Sequence, residues 1–148
     1  MSQDGATRLV VEKPFGKNRE EAKQLNDKIS ESFKQEQIYR VDHFLGKELV
    51  QQIPLLRFTN TLLEPIWNNQ YVSSIIINFK ETAGVEGRGG YFDDYGMIRD
   101  VVQNHLLNIV AFITMEPPAE FTKEQIQKCK ADVMYAAEPI KPGMHFSI

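Results

Sequence analysis

Arg8 to Pro14 reads RLVVEKP, a compact β-branched centre that runs into a proline, and this pattern predicts a buried strand ending in a turn. Behind Asn18, the residues Ala22, Leu25, Ile29 and Phe33 recur at helical spacing, with Glu20 and Glu21 in the first turn. Asn18 can cap the free amides there and the two acids suit the positive end of the helix dipole, so an amphipathic helix covering a sheet is predicted. Ile38 to Val41 reads as a second strand. After Gly46 a helical face resumes with Leu49, Val50, Ile53 and Leu56, and Pro54 inside it predicts a kink or break. Val72 to Phe79, VSSIIINF, carries the strongest strand signal, and the GVEGRGG run after it reads as loop. The last long element is YGMIRDVVQNHLLNIVAFITME, Tyr95 to Glu116, where Ile98, Val101, Val102, Ile109 and Phe112 make an apolar stripe that includes His105. Beyond Glu116, Pro117, Pro118, Pro139, Pro142 and Gly143 punctuate a stretch with one short helical candidate, TKEQIQKCKADVMYA, and a loose tail.

Strands alternating with helices predict a mixed layer, α/β to α+β, although three strands make a small sheet. A chain of 148 residues fits one domain, and its 42% hydrophobic and 25% charged residues match globular usage and argue against disorder. A net charge of -3 without a long basic run leaves no electrostatic footprint for nucleic acid or an anionic membrane, so neither partner is expected. Cys129 is the single cysteine, which excludes an internal disulfide or a thiolate cluster and fits a reducing compartment. No His or Cys pair stands at metal-ligand spacing, so no metal is expected. The N-terminal MSQDGATRLVV lacks a basic region followed by an apolar stretch, and does not read as a signal peptide. The longest apolar run, LLNIVAFITM, contains Asn108 and falls short of the roughly 18 residues of a spanning helix, so a soluble protein is expected.

A histidine on an apolar stripe is usually a core residue whose ring nitrogens find partners, and His105 becomes a candidate general base only if a carboxylate orients it. Asp42, at the end of a strand where ligand-binding residues concentrate in α/β sheets, is the candidate, against the plainer reading of an aspartate that starts a surface turn. Asp100 lies five residues before His105. An α-helix rotates that spacing by about 140°, so Asp100 is expected to meet a ligand rather than hold the ring. Lys13, His43 and Lys47 are potential cations at two strand ends and together suit a phosphate or sugar phosphate, although lysines there usually face water. The Lys13-Pro14 bond is a place where a cis peptide is possible. GVEGRGG matches neither the dinucleotide fingerprint nor the Walker pattern and reads as a connector.

The segments VVEKPFGK, IYRVDHFLGKELV, GRGGYFDDYG and IRDVVQNHLL follow one another with compatible spacing, and on them the chain resembles glucose-6-phosphate dehydrogenase from about Arg8 to about Ala119. The resemblance implies the end of a Rossmann-like NADP-binding domain in residues 1–42, joined to the start of a helix-backed β-sheet substrate domain in 43–119, with a divergent tail in 120–148. It implies oxidation of D-glucose 6-phosphate to 6-phosphogluconolactone with hydride transfer to NADP, the first step of the pentose phosphate pathway, in the cytoplasm and in homodimers or tetramers. By position in the motifs, His105 matches the base and Asp42 the carboxylate that orients it. His43, Phe44, Leu45, Gly46 and Lys47 match the segment that holds the substrate phosphate. Lys13 matches a lysine that contacts sugar and cofactor, Pro14 the cis-proline that helps place the nicotinamide, and Glu81 and Asp100 carboxylates that accept from sugar hydroxyls.

Three features depart from the family pattern. Phe44 stands where tyrosine is general, so a hydroxyl that would touch the phosphate is absent. Nothing before Arg8 supplies the strand and glycine-rich turn that bind the cofactor pyrophosphate, and the match fades after Ala119. These departures leave an alternative to the enzyme: a non-catalytic truncated paralogue or fragment that binds substrate or a fuller subunit. Its isolated apolar faces would favour self-association.

Overall fold

A computed structural model describes residues 7–82 and 84–139, so the expected loose tail with Pro142 and Gly143 lies outside the described residues. The chain divides into two units, one built from the described parts of Met1–Val50 and Asn78–His105, the other from those of Gln51–Ile77 and Leu106–Ile148.

In the first unit β1 (Leu9–Glu12) is followed by α1 (Arg19–Ser32) and β2 (Ile38–Val41), and the two strands pair in parallel from Leu9 opposite Ile38 to Glu12 opposite Val41. Parallel neighbours require a crossover, which α1 supplies. Asn18 caps α1 as expected, its side chain accepting from the Glu21 amide. Gly16 makes the turn into that helix at φ +115°, and a Cβ there would lie 2.7 Å from the Ala22 nitrogen, so only glycine fits. Because the strands are parallel, their carboxyl ends share one edge, and Lys13 and Asp42 emerge side by side. The Lys13-Pro14 bond is cis.

After β2 the short 3-10 turn His43–Gly46 leads to α2 (Glu48–Phe58). Later in the unit, GVEGRGG is not simple loop: Glu86–Arg88 forms a 3-10 turn, and Gly89 and Gly90 open α3 (Gly89–Met97). Glycine weakens a helix by about 1 kcal/mol per residue, and the Tyr91 ring stacked on Tyr95 at 4.5 Å offsets part of that cost. The single helix expected from Tyr95 to Glu116 is divided. Gly96, at φ 69° and ψ 161°, breaks α3 from within, and Ile98–Leu106 is π-helical. Among the described residues, Ile38 and Val50 are the buried apolar residues of this unit.

The second unit contains α4 (Leu107–Thr114) and α5 (Lys123–Ala136), the latter capped by Thr122, whose side chain accepts from the Gln125 amide. Ile109, Ala111 and Met115 are buried. Pro54 does not break α2, which continues to Phe58 and on to a Thr59 amide bonded to the Leu55 carbonyl. Proline removes one donor, and the turns on either side carry the helix past it. Arg57 ties the end of α4: its Nη1 donates to the carbonyls of Phe112, Ile113 and Met115 at 3.0, 2.7 and 2.9 Å, and Nη2 lies 3.2 Å from Glu64. Burial lowers the pKa of this guanidinium, against the opposing charge of Glu64.

The expected strand Val72–Phe79 joins no ladder among the described residues, so the sheet there has two strands rather than three. A strand is completed by its ladder, and a β-branched run that finds no neighbouring edge does not become one; Ile76 is open to solvent.

Candidate active site

The edge shared by the two strand ends holds most of the expected site. β2 ends at Val41, and Asp42 caps the following 3-10 turn, its Oδ1 accepting from the Phe44 amide at 3.0 Å. That bond fixes the carboxylate and leaves Oδ2 aimed at His105, whose Nδ1 is 2.8 Å away. On the other side of the ring, Lys13 Nζ lies 2.8 Å from Nε2. An ammonium only donates, so Nε2 offers its lone pair and Nδ1 carries the proton donated to Asp42. Both His105 and Asp100 are about nine-tenths buried.

Lys13 is held in place by Asp100, which accepts from Nζ through its backbone carbonyl at 2.9 Å and through Oδ1 at 3.1 Å. Asp100 therefore holds Lys13 and not the ring, in keeping with the expectation that it does not orient His105, but the reasoning behind that expectation is corrected. It rested on α-helical rotation, whereas a π-helix bonds residue i to i+5 and brings those positions to one side. Burial pushes the Asp100 carboxyl up, and the hydrogen bonds from Lys13 and Tyr91 together with the Lys13 charge bring it below the usual value. Tyr91 donates to Asp100 Oδ1 at 2.9 Å, and its own phenol is pushed up to about 12 by burial first and by that carboxylate second.

Phe44 braces the imidazole from its face, its ring stacked on His105 with centroids 4.6 Å apart, while Phe79 meets Phe44 edge-on at 5.2 Å. Lys47 Nζ sits 4.8 Å from the Phe44 centroid. A cavity of about 310 Å³ is bordered by Lys13, Asp42, His43, Phe44, Lys47 and His105. His43 is exposed and its Nε2 lies 2.9 Å from Glu12 Oε1. A second cavity, about 430 Å³, has Lys13, Lys17, Arg19 and Arg99 as its cations, Tyr91 and Tyr95 as its aromatic wall, and Pro14 on its border. Lys13 belongs to both.

The structure thus brings together Lys13, Asp42, Asp100 and His105, and sets His43, Phe44 and Lys47 around the same cavity. Leu45 and Gly46 lie in the 3-10 turn without bordering either cavity, and Glu81 is exposed and borders neither. Tyr91 and Phe79 were missed. The spacing of Tyr91 and Tyr95 signals a helical stack, but nothing in it signals that the Gly96 break returns the chain so that Asp100 meets the Tyr91 hydroxyl.

The family model described as glucose-6-phosphate dehydrogenase, NAD binding domain, matches residues 1–52. The model for the C-terminal domain of the same enzyme matches 54–146, continuing past the Ala119 at which the motif likeness stops. The chain is 51% identical over 137 residues to the cytoplasmic glucose-6-phosphate 1-dehydrogenase 5 of Arabidopsis thaliana, covering 93% of this chain and 27% of that protein. It is 49% identical over 139 residues to glucose-6-phosphate 1-dehydrogenase of Saccharomyces cerevisiae, covering 94% and 28% respectively. A solved glucose-6-phosphate dehydrogenase in complex with its substrate glucose-6-phosphate superposes with a TM-score of 0.87 at 44% identity, covering 95% of this chain and 29% of that one. The enzyme from Mycobacterium avium superposes with a TM-score of 0.80 at 43% identity, covering 87% and 29%. The chain therefore spans about a quarter of the length of the relatives it matches.

Proposed function

The chain belongs to the glucose-6-phosphate dehydrogenase family, and from that membership we propose that it carries the proton-abstracting site of an oxidoreductase that converts D-glucose 6-phosphate to 6-phosphogluconolactone with NADP as hydride acceptor, at the entry to the pentose phosphate pathway. The observation that carries this reading is His105 held between Asp42 on Nδ1 and Lys13 on Nε2, on the wall of a cavity that also presents His43 and Lys47.

The chemistry follows from that arrangement. Lys47 supplies positive charge and His43 a ring nitrogen that can donate to the phosphate of the sugar, which sets the anomeric hydroxyl toward His105. The hydroxyl replaces Lys13 at the Nε2 lone pair and gives its proton there. Asp42 stabilises the imidazolium that forms, and its hydrogen bond keeps the ring from turning. Lys13, still tethered by Asp100, remains beside the oxygen and opposes the build-up of negative charge.

The larger cavity suits a nicotinamide dinucleotide: its four cations match phosphates, its stacked tyrosines offer a face to a planar ring, Pro14 lies on its border, and Lys13 also borders the substrate side. The bound cofactor supplies the acceptor for the hydride leaving the same carbon that loses its hydroxyl proton. We assign NADP rather than NAD on the family likeness, and a cytoplasmic location on the likeness to the relatives so named at 51% identity, against chloroplastic ones at 44–46%.

The test is formation of reduced nicotinamide from glucose 6-phosphate and NADP by this chain, followed with His105→Asn. Turnover that needs both ligands, and that falls about 10²- to 10⁴-fold in the variant with sugar-phosphate affinity kept, is the expected result. Equal turnover in the variant removes His105 from the base role. Leu62 and Ile76, both 81% exposed, favour one other reading, a chain that docks on a fuller subunit. Sugar-phosphate binding with neither NADP binding nor turnover selects that reading.

A further inference from the structure

A lysine stem is long and flexible, so the 2.8 Å contact of Lys13 with His105 needs an anchor. Asp100 supplies two acceptors for Nζ, and only one of them, the backbone carbonyl, is fixed by the π-helical segment itself. The other, Oδ1, sits on a side chain that can rotate. It is shared with the Tyr91 hydroxyl, which donates to it at 2.9 Å from the far side of the Gly96 break. Tyr91 is in turn fixed by its stack on Tyr95, with the rings 21° from parallel.

We propose that Tyr91 is a positioning residue, which through the Asp100 carboxylate holds the Lys13 ammonium against the Nε2 of His105. The inference deepens the dehydrogenase reading and rests on it for its catalytic meaning, since Lys13 is the group that stays beside the reacting oxygen. Tyr91 touches neither His105 nor Lys13 in the described contacts. Its influence passes through one oxygen, and that makes the coupling measurable.

The experiment is competitive acylation of the whole chain with an amine-reactive succinimidyl ester, read peptide by peptide, with exposed Lys28 as the internal standard. Tyr91→Phe keeps the ring and its stack but removes the donor, and is expected to raise Lys13 reactivity relative to Lys28 about fivefold, the effect of losing one ordinary hydrogen bond. Tyr95→Phe removes the neighbouring hydroxyl of the same stack and is expected to leave Lys13 unchanged. In an Asp100→Asn background, Tyr91→Phe is expected to add little, because the route has already been cut.

A Lys13 reactivity that ignores Tyr91→Phe, that responds as strongly to Tyr95→Phe, or that responds equally with and without the Asp100 carboxylate overturns the proposal. None of these readouts needs turnover. A chain without dehydrogenase activity that still shows the coupling refutes the function and leaves the positioning role standing, whereas an active chain without the coupling does the reverse.

Discussion

His105 Nδ1 meets Asp42 Oδ2 at 2.8 Å although 63 residues separate them in the chain. The contact uses one oxygen of a carboxylate whose other oxygen caps the turn after β2, so the residue that starts the turn also sets the ring. With Lys13 on the opposite nitrogen, the tautomer is decided by the neighbours: a carboxylate can only accept and an ammonium can only donate. If His105 is the base of the proposed reaction, a lone pair already set on the side opposite Asp42 leaves little reorganisation to do.

Replacing Asp42 with Asn tests that logic, because the amide has the same shape and can present a donor to Nδ1. The ring would then be drawn toward the tautomer with its proton on Nε2, facing Lys13, and lose its lone pair on the cavity side. Turnover is expected to fall about 10²- to 10⁴-fold with a KM for glucose 6-phosphate within a few-fold of the parent. Steady-state kinetics separate the two, and a fall confined to KM would place Asp42 in binding instead.

Phe44 offers a test in the opposite direction. Its ring lies against His105 and under Lys47, at the mouth expected to take the phosphate. Phe44→Tyr adds a hydroxyl at the ring edge without changing the stack, and a new hydrogen bond to a charged group is expected to tighten glucose 6-phosphate by about 1 to 3 kcal/mol. Calorimetric titration measures it. An unchanged Kd would mean that the edge of this ring does not face the phosphate.

Much of this site was legible because its parts sit where short-range rules operate. Asn18 before Glu20 and Glu21, the β-branched centre of β1, and the turn through Gly46 each follow from the nature of the side chain, and each element is in place, although β1 is not the buried strand expected, since none of its residues is buried and Val10 is 59% exposed. Asp42 and His105 could be paired on chemistry, since a buried base needs an acceptor. Two features were hidden for physical reasons. The segment from Ile98 to Leu106 has the apolar spacing of an α-helix, and no side chain announces the wider π turn that brings Asp100 to the Lys13 side. VSSIIINF has every property of a strand except a partner, and pairing is a property of two segments.

Arg57 is expected to matter for stability and not for chemistry. Its side chain is 3% exposed and closes the carbonyl end of α4, with the guanidinium 5.5 Å from the Trp67 ring. Arg57→Met keeps much of the packing volume but leaves those carbonyls and Glu64 without their donor. A loss of about 3 kcal/mol is expected for buried acceptors left unpaired. Urea unfolding followed by the fluorescence of Trp67, the single tryptophan, reads this unit directly. A midpoint unchanged from the parent would show that water satisfies the carbonyls equally well.

The Tyr91 phenol gives a pH signature of the same network. Its pKa in the folded chain is pushed up to about 12, by burial first and then by the Asp100 carboxylate that accepts its proton. An unfolded tyrosine titrates near about 10. The folded state therefore binds this proton more tightly, so the stability that the neutral phenol contributes is complete below about pH 10 and is lost as the pH rises through about 12. Phenolate absorbance should show a late transition that is absent from Tyr91→Phe. Asp100→Asn takes away the negative charge and leaves the burial, so the late transition should move down without reaching the unfolded value. If it does not move, burial alone sets it, and the hydroxyl is not bonded to that carboxylate.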